Sequence, residues 1–270
     1  AITVSSGIHG SRIPSLPTMY YPEGTFIPLA EALKEAVSLP ITLPGRLGDP
    51  ALAERVLEEG KADFIAWGRP LIADPELPKK VAAGRIDEVR RCVSCNECIR
   101  VMWDHNMPVR CMVNPVAGRE GRYGRITKAD QARKVVVIGA GPGGMEAARA
   151  AALRGHHVVL CDRDQELGGL LKLASAPPHK DVFQHIMNYY QTALKKLPNV
   201  ELKLGQEATA QWVLSLKPDA VIVACGATRS LPQVPGAPAH RVVSAFDVLA
   251  GITTVGDRVV VNKGGMFGCE

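Results

Sequence analysis

Four cysteines, Cys92, Cys95, Cys98 and Cys111, stand in a C-x2-C-x2-C-x12-C pattern within the stretch RCVSCNECIRVMWDHNMPVRCMVNPVAGR. Thiolates at i, i+3 and i+6 of a tight loop can take three corners of an iron–sulfur cube, and a fourth from farther along closes it. The spacing therefore predicts a 4Fe–4S site. Zinc is the alternative, but it usually takes two separated Cys or Cys/His pairs rather than three thiols from one loop. A disulfide framework belongs to oxidising compartments, whereas the rest of the chain reads as cytoplasmic.

A second constellation is KVVVIGAGPGGMEAARAAALRGHHVVLCDRD. A strand from Lys134 to Ile138 runs into Gly139, Gly141 and Gly144 at G-x-G-x-x-G spacing, an Ala-rich helix follows to about Arg154, and a strand from His157 to Cys161 presents Asp162. Gly139 makes the tight turn, Gly141 lets a pyrophosphate approach the backbone, and Gly144 lets helix and strand pack closely. The helix N-terminus favours the pyrophosphate charge, and Asp162 can accept hydrogen bonds from ribose hydroxyls. Gly168-Gly169 offers another close backbone approach, and DAVIVACG (219–226) reads as a buried strand meeting Gly226. That second set favours FAD, or its ADP half, over NAD at this site. The stretch DRVVVNKGGMFGCE (257–270) resembles a second nucleotide-binding strand and loop, with Gly265 and Gly268 in the second and third glycine positions. Lys263 replaces the first glycine, which weakens the tight turn and leaves nicotinamide binding there open.

The elements that must position these groups alternate regularly. A short strand (Ala1 to Ser5) leads through a Pro-rich loop to a helix opened by Pro28, then a strand at Ile41 to Leu43. Asp49 caps a helix with Pro50 at its first position and Gly60 ends it, before a third strand over Ala62 to Trp67. This spacing argues for parallel crossovers. Two successive strands end in Gly-Arg, at Gly45-Arg46 and Gly68-Arg69. Such pairs suit a phosphate at the carboxyl ends of parallel strands, although arginines after tight turns on the surface would read the same. His179, Lys180 and His185 lie before and within an amphipathic helix (about Asp181 to Leu197), and the histidines have no metal-ligand partners at useful spacing. Trp103 and Trp212 read as packing residues, and Cys161, Cys225 and Cys269 as buried thiols.

The 270 residues allow one large domain or two ordinary ones, and 46% hydrophobic content is that of a globular chain. A net charge of +5 with both signs interspersed gives no case for nucleic acid or an anionic membrane. No run of 18 apolar residues and no signal pattern occurs. The first residues lie inside an apolar run and the last open a further strand–loop–helix unit. The chain is therefore expected to be part of a longer polypeptide, inactive and aggregation-prone as an isolated piece.

GRPLIADPELPKK, the four-cysteine loop, VNPVAGRE and VIGAGPGGMEAA, in that order, resemble the iron–sulfur flavoenzymes of the old yellow enzyme superfamily. Among these are 2,4-dienoyl-CoA reductase, 2-enoate reductase and trimethylamine dehydrogenase. The resemblance implies an α/β fold: the C-terminal part of a TIM (β/α)8 barrel that binds FMN (1–90), an iron–sulfur loop and linker (91–130), a Rossmann-like FAD- or ADP-binding domain (131–256) and the start of an NAD(P)-binding subdomain (257–270). It implies that Arg46, Gly68 and Arg69 contact the FMN phosphate, that the four cysteines hold the cluster, and that Gly141, Gly143, Gly144 and Asp162 hold FAD or ADP. Leu170, Lys180 and Ala208 are further candidates for that last site.

The implied activity passes electrons from NAD(P)H through FAD and the cluster to FMN, which reduces an activated C=C bond of a small unsaturated acid or acyl-CoA. Three alternatives stand beside it: an amine dehydrogenase with structural ADP and an electron-transferring flavoprotein as partner, an electron-transfer subunit without a catalytic site, and a structural fragment. The resemblance leaves a homo-oligomer open. The family's catalytic residues are expected upstream of residue 1, and His9 matches none of them.

Overall fold

The computed structural model describes residues 1–7, 15–227, 231, 235, 236, 238 and 242–261. It divides into a first unit, residues 1–126, and a second, residues 127–270. Each is built on a parallel sheet. No helix among the described residues is long and apolar enough to cross a membrane.

The first unit contains β1 (Ile2–Thr3), β2 (Ile41–Leu43) and β3 (Phe64–Ile65), in that order across the sheet. Ile2 and Thr3 stand opposite Ile41 and Thr42, and Thr42 and Leu43 opposite Phe64 and Ile65. The outer strands are shorter than the expected spans, yet Asp63 N donates to Ile41 O at 2.9 Å and Ala66 N to Leu43 O at 3.0 Å, so the pairing runs past the formal ends. Helices Ile27–Ala36 and Pro50–Glu58 connect the strands. As the sequence predicts, Asp49 caps the second, its side chain accepting from Ala51 N at 3.0 Å. Val4, Phe26, Ala30, Ile41, Leu43, Leu47, Val56 and Ala62 form the core.

Beyond β3 a short helix (Arg69–Ala73) ends at Asp74, which is 4% exposed. Its carboxylate accepts from Lys80 Nζ at 2.6 Å, from Arg90 N at 2.8 Å and from Glu76 N at 3.1 Å. Lys80 also donates to Glu88 O at 2.9 Å. This network delivers the chain from the sheet to the start of the cysteine loop.

The second unit orders its strands β6 (Val200–Leu204), β5 (His157–Asp162), β4 (Lys134–Ile138) and β7 (Ala220–Val223), all parallel. The chain leaves β4 toward β5 on one side and later returns to pair β7 on the other. The turn after β4 therefore lies at the switch point, where doubly wound sheets bind ligands. Helices Pro142–Leu153, Gln184–Lys195 and Ala210–Ser215 make the crossovers. Cys161 is buried, and Trp212 packs with Ile138, Ala208 and Leu216 against Val136, Val159, Cys161 and Val213, as expected.

Several sequence expectations need correction. The 219–226 strand is not buried: Val221, Ile222 and Val223 are 43%, 37% and 71% exposed. The cause is position, since β7 ends the strand order and pairs on one edge only among the described residues. Cys225, just past it, is exposed for the same reason. Trp103 is 43% exposed at the end of helix Glu97–Trp103. Residues 257–261 form no strand. His9, Lys263, Gly265, Gly268 and Cys269 lie outside the described residues.

Replacing Asp74 by Ala leaves the Lys80 ammonium with the Glu88 carbonyl alone and takes the acceptor from two partly buried backbone donors, with a cost of about 3 kcal/mol. Urea unfolding of Asp74→Ala should show the first unit's transition at a clearly lower midpoint, with Asp74→Asn less affected. An unchanged midpoint in the Ala variant would contradict the network.

Candidate functional site

The first unit brings all four predicted cysteine ligands to one pocket, whose other lining residues are Arg69, Ile72, Val93, Asn96, Met112 and Val113. The pocket is small, about 290 Å³ with its part open to solvent included, and largely apolar. Cys92 and Cys95 come from the irregular loop before helix Glu97–Trp103, Cys98 from that helix, and Cys111 from the segment that follows it. Burial pushes the Cys95 thiol up to about 12, and the neighbouring Cys92, Cys111 and Cys98 add to this against a backbone hydrogen bond at Glu97. Burial also raises Cys98 and Cys111. The protonated thiol is thus the favoured state of Cys95, Cys98 and Cys111, and a cationic centre would have to displace those protons. Among the described residues, no group of three or more His, Cys, Asp or Glu is arranged to hold a single metal ion.

Tight backbone geometry makes this convergence possible. Ser94 and Asn96, on either side of Cys95, are left-handed at φ 52° and 57°. Neither is glycine, so surrounding contacts must hold them there. Ser94 N lies 3.4 Å from Cys92 Sγ. Near the fourth cysteine, buried Asn114 donates through Nδ2 to Ile72 O at 2.9 Å and accepts at Oδ1 from Arg90 Nη1 and Val116 N, each at 3.1 Å.

A second pocket in the same unit encloses about 1010 Å³, part of it open to solvent, and its walls include both predicted Gly-Arg pairs. Arg46 is left-handed at φ 51° and buried, and Nη1 donates to Met19 O at 3.2 Å. A side chain at Gly68 would meet nothing within 4 Å, which leaves its backbone open to a ligand. Arg69 donates from Nη1 to Pro17 O at 2.9 Å and to Asn96 Oδ1, so Nε and Nη2 have no partner among the described residues. The two pockets share Arg69, Ile72 and Cys92.

In the second unit the predicted glycines divide by what surrounds them. A Cβ on Gly144 would collide with the Gly139 carbonyl, and one on Gly139, at φ 102°, with the Ala224 carbonyl. Close packing thus demands these two. A Cβ on Gly141 or Gly143 would meet nothing within 4 Å, at the start of a helix with no side-chain cap. That is the open, donor-rich surface an anionic group needs. Gly169, at φ 51°, brings its missing Cβ within 3.1 Å of Gly141 Cα, and Gly168 N donates to Ala140 O at 2.9 Å. Asp162 accepts from Ala140 N at 2.6 Å and from Asp164 N at 2.9 Å, so it braces the turn as well as facing the carboxyl edge of the sheet. Leu170 is exposed beside this turn, Ala208 packs under the sheet, and Lys180 is 7% exposed.

Two family models match the chain, one in each unit. Residues 15–88 match the NADH:flavin oxidoreductase / NADH oxidase family, and residues 133–270 match pyridine nucleotide-disulphide oxidoreductase. The chain belongs to the old yellow enzyme/dienoyl-CoA reductase-like family. Within it, an NADH oxidase from Thermoanaerobacter brockii is 43% identical over 99% of this chain and 42% of its own length. A cinnamate reductase from Clostridium sporogenes is 39% identical over all of this chain and 40% of its own. A 2-naphthoyl-CoA reductase solved with 2-naphthoyl-CoA superposes with a TM-score of 0.88 at 35% identity, over 94% of this chain and 39% of that one. The chain thus spans about two fifths of the length of these relatives.

Sequence reasoning missed Ser94, Asn96 and Asn114 as supports of the cysteine pocket. The one available signal was an Asn inside the loop, since Asn tolerates left-handed backbone.

The two kinds of glycine should separate experimentally. Gly144→Ala is expected to destabilise the second unit by about 2 kcal/mol, because backbone must move. Gly143→Ala should unfold no earlier than the parent, since Ala suits a helix, yet weaken dinucleotide retention about tenfold. Thermal unfolding and release of bound nucleotide check both, and an undisturbed Gly144→Ala would contradict the packing.

Proposed function

We propose that the full protein is a flavin- and iron–sulfur-dependent oxidoreductase that reduces an activated C=C bond of a small unsaturated acid or acyl-CoA with NAD(P)H. The observation that carries this reading is the shared wall: one side chain, Arg69, and one cysteine, Cys92, line both the four-thiol pocket and the Gly-Arg pocket. Two redox groups held there would be close enough to exchange single electrons. The names of the cinnamate and 2-naphthoyl-CoA reductases support the substrate class.

Cys92, Cys95, Cys98 and Cys111 would hold a 4Fe–4S cluster. Four thiols that line one pocket, three of them from a single C-x2-C-x2-C loop, suit a polynuclear centre better than zinc. Arg46, Gly68 and Arg69 would bind the FMN phosphate, with backbone N–H groups and guanidinium donors meeting its oxygens. Gly139, Gly141, Gly143 and Gly144 would seat the pyrophosphate of FAD at the head of helix Pro142–Leu153, with Asp162, Gly169, Leu170, Lys180 and Ala208 around its ADP half. Bound together, the flavins and cluster supply hydride chemistry at their ends and one-electron transfer between them. The chain's own part is to fix these positions, exclude water from the thiols and neutralise the phosphate. In this reading residues 1–90 complete a barrel, 91–130 carry the cluster loop, 131–256 bind FAD and 257–270 begin the NAD(P) subdomain. A thiol-ligated centre fits a reducing cytoplasm.

Full-length protein purified without oxygen should release both FMN and FAD and oxidise NAD(P)H when given an enoate or enoyl-CoA. Cys95→Ser should lower that turnover by about 100-fold or more while FMN stays bound. ADP in place of FAD, with reduction by secondary or tertiary amines and none by NAD(P)H, would overturn the reductase reading for the amine dehydrogenase one.

A further inference from the structure

We infer that Asn96 is a positioning residue that couples the Gly-Arg pocket to the cysteine pocket, through the Arg69 guanidinium on one side and its own left-handed backbone beside Cys95 on the other. The inference rests on the reading of the first pocket as the FMN phosphate site and of the second as the cluster site.

Asn96 heads helix Glu97–Trp103, where an Asn side chain would ordinarily cap its own helix. Here it makes no capping bond. Oδ1 instead accepts from Arg69 Nη1, and Nδ2 donates to Leu16 O at 2.7 Å. The same Arg69 Nη1 donates to Pro17 O at 2.9 Å. The segment around residues 16–19 thus works as a strap between the arginines and the cysteine loop. A parallel path runs beside it: Arg46 Nη1 donates to Met19 O at 3.2 Å, and Met19 N donates to Ser94 O at 3.1 Å. Each predicted phosphate arginine therefore leads to one of the two left-handed residues that flank Cys95.

Such a connection constrains both pockets at once. With Nη1 anchored by Asn96 and Pro17, the planar guanidinium is fixed in orientation, and its remaining donors are aimed before any phosphate arrives. The same bond holds Asn96 in the backbone conformation that sets Cys95 and Cys98 on one wall. Supporting residues of this kind typically change the affinity of a bound centre by about 10- to 100-fold when removed.

Replacements at Asn96 separate backbone from side chain. Glycine keeps the left-handed conformation and loses the bridge, whereas aspartate keeps an acceptor for Arg69 and loses only the donation to Leu16. In the full-length holoprotein, Asn96→Gly is expected to weaken FMN about tenfold, measured as the dissociation constant of the flavin from deflavinated protein. Asn96→Asp should restore binding to near the parent value. Combined with Arg69→Ala, Asn96→Gly should add nothing to the loss that Arg69→Ala causes alone, because both act through one guanidinium. Unchanged FMN affinity in Asn96→Gly, equal losses in the Gly and Asp variants, or additive losses in the double variant would overturn the coupling. Parent protein that binds no FMN or no iron would instead overturn the functional reading beneath it.

Discussion

Collecting four thiols around one small apolar pocket is the constraint on which the first unit depends. Burial favours the protonated forms of Cys95, Cys98 and Cys111, strongly so at Cys95. A centre that binds them as thiolates must repay that preference through its own charge, and a loop free to relax would scatter the sulfurs instead. The chain answers with anchors rather than with a deeper core. Ser94 and Asn96 take left-handed backbone that gives the short spacing its turn. Asn96 reaches Leu16 and Arg69, and Asn114 reaches Ile72 and Arg90. Each asparagine uses its amide to hold a backbone carbonyl and its oxygen to take an arginine, so both ends of the cysteine segment are tied to the sheet-bearing part of the unit.

The second unit meets a different demand. Its turn after β4 uses absence of side chains: Gly139 and Gly144 permit backbone-to-backbone contact, and Gly141 and Gly143 leave space open. Asp162 stiffens this arrangement by accepting from Ala140 N. Parallel strands with near-continuous apolar sequence, VVVI and VVLC, place these groups at one edge of the sheet.

Much of this was legible because it depends on short-range spacing. C-x2-C-x2-C fixes three sulfurs within one turn of loop and helix, and the strand–glycine–helix–strand run carries its geometry in its own residues. Asp49-Pro50 announced a helix start for the same reason. What escaped was set by distant partners. Asn96 finds its acceptor 80 residues away at Leu16, and Asn114 finds Ile72 at a separation of 42. β7 looked like a core strand because it is apolar, but burial of an outermost strand is decided by what covers its free edge, which its own residues do not encode. Cys225 and Trp103 were misjudged likewise, from composition without neighbours.

In the proposed full protein Cys92, Cys95, Cys98 and Cys111 would hold a single four-iron centre. Mössbauer spectroscopy of full-length protein grown on 57Fe and purified without oxygen tests it most directly. The pocket predicts one signal of about four irons per chain, lost when Cys111 is replaced by Ser. Zinc bound at one ion per chain with no iron signal would contradict it.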